Sequence, residues 1–295
     1  MTTTTPTLPA FVEHRVPCGS GSVAVREFAG TGPAFVALHG FPDDSHIYDL
    51  VIPSLVAAGR RVVAIDFLGF GGSDKPVGAR YSFPQQVGDV EAVVDALQLE
   101  KVIPVGHDAG GPAAINFALK HPDRTSAVVL MNAFYGDSPG LRVPELIELF
   151  SSRELQSLAM HFLQSPQQFA WLIEFQRNLL AEGLTKAQRD NYFEFLGPVI
   201  DNNFRQQPSA AVAFAQMTSQ LREEVTANTA RIVEFRRSNV PLHLIWGDAD
   251  PYLHLSVAKH LQSQAKNVSL HVVGAGHWPQ IDAYEEVAEI MLKFR

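Results

Sequence analysis

The stretch Val105-Gly106-His107-Asp108-Ala109-Gly110-Gly111 constrains this 295-residue chain more than any other, because an apolar run ends there in a Gly-x-Asp-x-Gly turn. Gly106 and Gly110 let a sharp strand-to-helix turn close without a Cβ clash, and the turn pushes the central side chain into a cavity. A serine at that point attacks acyl carbon. A carboxylate is a poor acylation nucleophile, since attack on an ester leaves an anhydride, but it suits displacement at a saturated carbon and gives an alkyl-enzyme ester. The competing reading of Asp108 is a helix N-cap; its place between two glycines after an apolar strand favours the nucleophile.

Short apolar runs bounded by turn residues recur at 34–38, 61–65, 101–105, 126–131, 241–246 and 269–273, with helical stretches between them. That spacing predicts βαβ units around a mostly parallel central sheet, an α/β fold. Pro104 is awkward in a central strand, because it removes a ladder hydrogen bond. From about 136 to 237 the strand signal disappears and apolar residues recur at helical spacing, as in Leu155, Leu158, Ala159 and Phe162. The chain therefore divides into a first core part (1–135), an inserted helical segment (136–237) and a second core part (238–295). Pro144, Pro166, Pro198 and Pro208 are expected at helix boundaries inside the insertion, since the residue before proline avoids the α region.

Composition narrows the function classes. With 46% hydrophobic residues the chain is long enough for a large core plus an insertion. A net charge of -8 without a basic cluster argues against nucleic acid, and no apolar run approaches the roughly 18 residues of a membrane span. Cys18 is the single cysteine, which excludes an internal disulfide, and the Met1-Thr2-Thr3-Thr4-Thr5-Pro6 stretch lacks a secretory signal. A cytoplasmic monomer or homodimer is expected, with a small-molecule substrate and water as its partners. His121, His243, His254, His260 and His271 show no ligand spacing, so no metal is expected. Gly69-Phe70-Gly71-Gly72 lacks the G-K-[ST] ending and the dinucleotide fingerprint and reads as a tight loop, so no cofactor is expected either.

Five motifs follow one another: His39-Gly40-Phe41-Pro42, the Asp66-Phe67-Leu68-Gly69-Phe70-Gly71-Gly72-Ser73-Asp74-Lys75-Pro76 run, the aspartate turn, Trp246-Gly247-Asp248-Ala249-Asp250-Pro251, and Gly274-Ala275-Gly276-His277-Trp278. In this order they resemble the α/β-hydrolase fold, and the aspartate at 108 resembles its epoxide hydrolase, haloalkane dehalogenase and haloacetate dehalogenase branches. The resemblance covers nearly the whole chain, the insertion matching the family's helical cap only loosely. It implies Asp108 as nucleophile, His277 as the base that activates water, and Asp250 as the acid that fixes the His277 tautomer. Asp248 is the competing acid, and the alternative acid position after the 126–131 strand holds Asn132. The backbone N–H groups of Phe41 and Ala109 are the implied oxyanion donors. His277 as a structural histidine is the competing reading, and His39 and His107 read as loop hydrogen-bonders.

The bond cleaved is less constrained. Haloalkane enzymes place a tryptophan after the nucleophile, where this chain has Ala109, and fluoroacetate-type enzymes add arginines where it has Ala109-Gly110-Gly111-Pro112-Ala113. Epoxide hydrolases normally use two cap tyrosines, but here Tyr192 is the single one in the insertion, with Tyr135 at its entrance and Ala215 where a second is expected. His161 resembles the cap histidine that some relatives use beside the leaving group, and a histidine in a helical apolar run also reads as a core or surface residue. Trp171 offers an indole to a halide but is flanked by Phe169, Leu172 and Ile173 as a packing residue is. The 66–70 run looks closer to haloalkane dehalogenases. The resulting expectation is an epoxide hydrolase on a small apolar epoxide, with His161 or Tyr192 assisting ring opening. The alternatives are a haloalkane or haloacid dehalogenase and a non-hydrolytic binding or biosynthetic protein of the same fold.

Overall fold

Among the described residues eight strands, in the spatial order β1-β2-β4-β3-β5-β6-β7-β8, form one sheet. They are β1 (Val12–Cys18), β2 (Gly21–Phe28), β3 (Thr31–Leu38), β4 (Arg60–Asp66), β5 (Val102–Asp108), β6 (Val128–Ala133), β7 (Leu242–Gly247) and β8 (Val268–Val273). The computed structural model describes residues 6–294, so the Met1–Thr5 stretch on which the leader-signal expectation rests lies outside the described residues. From β4 to β8 every pairing is parallel, while β1–β2 and β2–β4 are antiparallel. This is the α/β-hydrolase strand arrangement. Among the described residues no helix is long and apolar enough to cross a membrane.

The six parallel strands fall where the apolar runs predict them. β5 and β6 are buried along nearly their whole length, as strands covered by helices on both faces must be. The N-terminal hairpin is an addition, because β1 alternates exposed Val12, Glu13 and Arg15 with a buried Val16 and carries no apolar run. Pro104 is tolerated inside β5. Towards β6 it falls between the isolated Val102–Thr125 bridge and the ladder that begins at Val105–Val129, where no regular pairing is interrupted.

Between β6 and β7 the chain is helical throughout, from Glu145–Ser151 to Leu221–Arg237. Pro166 opens the helix Pro166–Leu180 at a position whose missing N–H costs nothing. Pro198 does not end a helix. It follows a π-helical turn at Tyr192–Leu196, whose wider spacing, closed by the Gly197 N–H on the Tyr192 carbonyl, carries the chain from Lys186–Asn191 into Gly197–Arg205 without a break.

Two kinds of contact dock these helices on the sheet. Phe214 packs edge-on against Phe41 from the β3 loop (6.4 Å), Phe150 (5.2 Å) and Phe204 (5.8 Å). Each such buried ring is worth about 1.5–3 kcal/mol. Asn203, fully buried, accepts the Gly71 N–H at 2.7 Å and donates to the Pro42 carbonyl (3.4 Å) and the Asp44 carboxylate (3.3 Å). It thereby satisfies loops after β3 and β4 at once. Asn203→Ala strands the buried Gly71 N–H, and chemical denaturation is expected to show a loss of about 1–3 kcal/mol.

Candidate active site

The chain reverses direction across the sheet between β3 and β5, and side chains converge in the crevice that such a switch point leaves at the carboxyl ends of parallel strands. Asp108 ends β5 at φ +47°, in the left-handed region. The neighbouring glycines are required sterically: a Cβ on Gly106 would sit 2.6 Å from the Gly110 carbonyl oxygen, and one on Gly110 would sit 2.4 Å from that of Leu38. The turn is thus wedged against β3, and Asp108 projects out of it towards the β3 loop. There its Oδ2 accepts the Phe41 N–H at 3.1 Å, and the Ala109 N–H also favours the carboxylate. A Cβ on Gly40 would lie 2.6 Å from the same oxygen.

His277 follows β8 and lines the same cavity as Asp108. Its Nδ1 lies 2.7 Å from Asp250 Oδ2. Asp250 is held in turn by the N–H groups of Tyr252 (2.8 Å) and Leu253 (3.0 Å) on Oδ1 and by Asn132 Nδ2 (2.8 Å) on Oδ2. Asp248 is exposed, two residues earlier on the same loop. Asn132, at the alternative acid position, completes the shell of Asp250. Its own oxygen accepts the Gly247 N–H at 2.7 Å.

Burial opposes every charge here, and pairing decides which survive. Burial raises Asp250, but His277 and the three hydrogen-bond donors outweigh it and hold the carboxyl at about 2. Burial lowers His277, and Asp250, with help from Asp108 and Asp43, overcomes it and raises the imidazole to about 9. Asp108 stays above the usual carboxylate range because burial exceeds what His277 and the two backbone N–H groups return. Asp43 is a further buried acid that the sequence reading left unremarked. It accepts the Gly40 N–H (3.1 Å) and the Trp278 indole N–H (2.8 Å), tying the β3 loop to the loop carrying His277. Burial, reinforced by Asp108 and Asp44 against the Trp278 bond, pushes it up to about 8.

The two flanking histidines bond loops, as expected. His39 donates Nδ1–H to the Gly40 carbonyl (2.9 Å) and accepts the Phe67 N–H on Nε2 (3.1 Å), while His107 Nε2 reaches the His277 carbonyl at 2.8 Å.

The structure brings together Asp108, Asp250, His277 and the Phe41 and Ala109 amides, but not the three residues proposed beside the leaving group. His161 is exposed, its Nδ1 on the Ser157 carbonyl of its own helix. Trp171 is 60% exposed and stacks on Phe175. Both line a shallow surface depression away from Asp108, because the faces of their helices that pack inward carry Ala159, Phe169, Leu172 and Ile173 instead. Tyr192 is buried, but its hydroxyl accepts the His277 backbone N–H at 3.1 Å, on the loop whose Gly276 N–H is held by Asp282 at 2.8 Å. It braces the histidine loop from behind and does not line the cavity.

That cavity has a volume of about 740 Å³ and is walled mainly by apolar side chains, among them Phe41, Phe134, Leu146, Leu180 and Leu221. Two polar members, Tyr252 and Gln176, were not anticipated: one sits two residues past the acid, and the other is an unremarkable glutamine in a helical run.

Fold and strand-end geometry together define a scaffold of the α/β-hydrolase type. Residues 33–284 match the family model for the alpha/beta hydrolase fold, and the chain belongs to that family, which includes epoxide hydrolases and dehalogenases. Over 99 residues it is 48% identical to epoxide hydrolase B of Mycobacterium tuberculosis, a match covering 33% of this chain and 28% of that protein. Over 270 residues it is 28% identical to haloalkane dehalogenase 2 of Mycobacterium bovis, covering 90% of this chain and 88% of that one. Among solved structures it resembles the 2-hydroxy-6-oxo-6-phenylhexa-2,4-dienoate hydrolase of Rhodococcus sp. strain RHA1, with a TM-score of 0.75 at 21% identity over 97% of this chain and 98% of that one, a likeness of fold.

Tyr192→Phe separates bracing from leaving-group assistance. It leaves the His277 N–H without its buried acceptor, so denaturation is expected to show a loss of about 1–3 kcal/mol. A leaving-group acid would lose activity with stability unchanged.

Proposed function

We propose that the chain is an epoxide hydrolase that works through a covalent ester on Asp108, with the helices between β6 and β7 acting as a cap over the site. The observation that carries this reading is the posture of Asp108. One carboxylate oxygen is already docked on the Phe41 amide, with Asp250 and His277 aligned in the same cavity. The other oxygen attacks a saturated carbon. The docked oxygen becomes the ester carbonyl and then the oxyanion when water adds, so its donors need no rearrangement.

The raised His277 fits this sequence of steps. Before reaction the imidazolium steadies Asp108 as a carboxylate. Esterification removes the Asp108 charge, one of the influences that keeps the imidazole protonated, so His277 releases its proton to solvent, becomes the base that activates water, and takes a proton back from solvent once Asp108 is a carboxylate again.

The indoles argue against a halide leaving group. Trp246 donates to the Leu253 carbonyl at 2.7 Å, Trp278 donates to Asp43 and Trp171 faces outward, so none of the three stands free beside Asp108. The alignment with haloalkane dehalogenase 2 along most of the chain keeps dehalogenation as the second reading. The cavity also revises the expected substrate size, since about 740 Å³ suits an apolar epoxide of aryl or longer alkyl type.

Single turnover of an aryl epoxide in ¹⁸O-water is the test. Heavy oxygen is expected in the Asp108 peptide, with the diol of the first turnover carrying the protein's ordinary oxygen. Label in the diol alone would mean direct attack by water and no ester. Released halide with an alkyl adduct, and no reaction with epoxides, would move the assignment to dehalogenase; binding without turnover would favour a non-hydrolytic role.

The pH dependence follows from the same charges. Hydrolysis of the ester needs neutral His277, and the ester form has lost the Asp108 charge, so this half-reaction is expected to rise with pH with an apparent pKa below about 9. Towards acid pH, rapid-quench mass spectrometry should show the Asp108 adduct accumulating.

A further inference from the structure

Opening an epoxide leaves an alkoxide unless a proton reaches the ring oxygen as its C–O bond breaks, so an O–H or N–H donor must share the cavity with Asp108. Most side-chain donors there are already committed. Thr226 and Thr229 give their hydroxyl protons to carbonyls of their own helix, at 2.8 and 2.7 Å. The Trp278 indole is spent on Asp43. Arg142 and Arg222 are exposed and paired with Glu145 and Glu148.

The Tyr252 hydroxyl is committed too, but to an acceptor that keeps a second partner. It is the one tyrosine lining the cavity among the described residues, and it is buried. Its backbone N–H holds Asp250, so its ring rides on the loop that orients His277. Its hydroxyl donates to Glu145, a half-exposed carboxylate that also keeps Arg142 at 2.9 Å and therefore is not stranded if the hydroxyl turns away. On the opposite side Gln176 Nε2 donates to the same hydroxyl oxygen at 2.8 Å, and the Arg142 guanidinium stands 5.1 Å from the ring centroid. A phenol that surrenders its proton needs a donor on its oxygen, and the Gln176 amide supplies one.

Building on the epoxide reading above, we propose that Tyr252 is the catalytic acid that protonates the ring oxygen, with Gln176 holding the resulting tyrosinate. Burial and the neighbouring Glu145 carboxylate keep the phenol well above its usual range, so it is protonated and ready to donate at neutral pH. An Asp108 oxygen bonds to the epoxide carbon, the C–O bond breaks, and the ring oxygen takes the Tyr252 proton. Water then gives one proton to His277 as its hydroxide adds to the ester carbonyl. Collapse releases the second product oxygen, which takes that proton from His277. The remaining proton of the water leaves as Asp108 returns to carboxylate and restores Tyr252. One epoxide and one water give one diol.

The experiment measures styrene oxide adduct formation on Asp108 in His277→Gln protein, with and without Tyr252→Phe, by intact mass over a range of epoxide concentrations. Tyr252→Phe is expected to lower the limiting rate by about 10²–10⁴-fold while the half-saturating concentration holds. Gln176→Leu, with Tyr252 intact, should slow the same step by about 10–100-fold through loss of a bond to a charged oxygen. An unchanged limiting rate in Tyr252→Phe, or a change confined to half-saturation, overturns the assignment. If His277→Gln protein with Tyr252 intact forms no adduct even at alkaline pH, where Asp108 is ionised without the imidazolium, the epoxide reading itself falls, and the parent protein alone reveals that failure. Melting curves of each variant separate loss of fold from loss of chemistry.

Discussion

Asp108 can occupy the left-handed region where β5 gives way to the helix Gly110–Lys120 only because two glycines leave room for the backbone to fold back on itself and against β3. That tight passage sets the spacing of everything else. It brings the carboxylate within 3.1 Å of the Phe41 amide and lets His107 reach across to the carbonyl of His277. Local strain of this kind persists when the surroundings over-determine it, and here they are the buried strands of a parallel sheet.

Around that turn lies an electrostatic problem with three buried acids and one strong base. Asp250 takes the imidazolium directly, and Asp108 shares its field and the backbone donors. Asp43, for which the Trp278 indole, the Gly40 amide and the pull of His277 do not offset burial, keeps its proton to higher pH. The site therefore does not gather as much negative charge as its sequence composition suggests. A neutral Asp43 also spares Asp108 a like-charge neighbour that would oppose its ionisation.

The parallel strands were legible because each is a short apolar run between turn residues. The Asp108 turn and the order of acid and histidine were legible because glycine and chain order leave a local trace. The outer hairpin was hidden because one side of β1 faces solvent and its sequence has no apolar block. Residues of the helical segment resisted reading for a different reason. Whether His161, Trp171 or Tyr192 meets the substrate depends on how helices rotate about their axes and on where the π-helical turn at Tyr192–Leu196 shifts the phase, which no short window records. Tyr252 and Asn132 acquire their meaning from partners more than 70 residues away in the chain.

The loop that bears His277 is supported from the helical segment as well as from the sheet. Tyr192 takes its backbone N–H, and Gln188 donates to the Gly274 carbonyl at 2.8 Å. The segment that walls the cavity is thus also a structural support of the His277 loop, and the two duties cannot be varied independently. Recombination that exchanges this insertion between family members would import a new pocket together with a foreign brace. Diversification of such a chain is then easier by point changes on the cavity wall than by wholesale exchange of the helices.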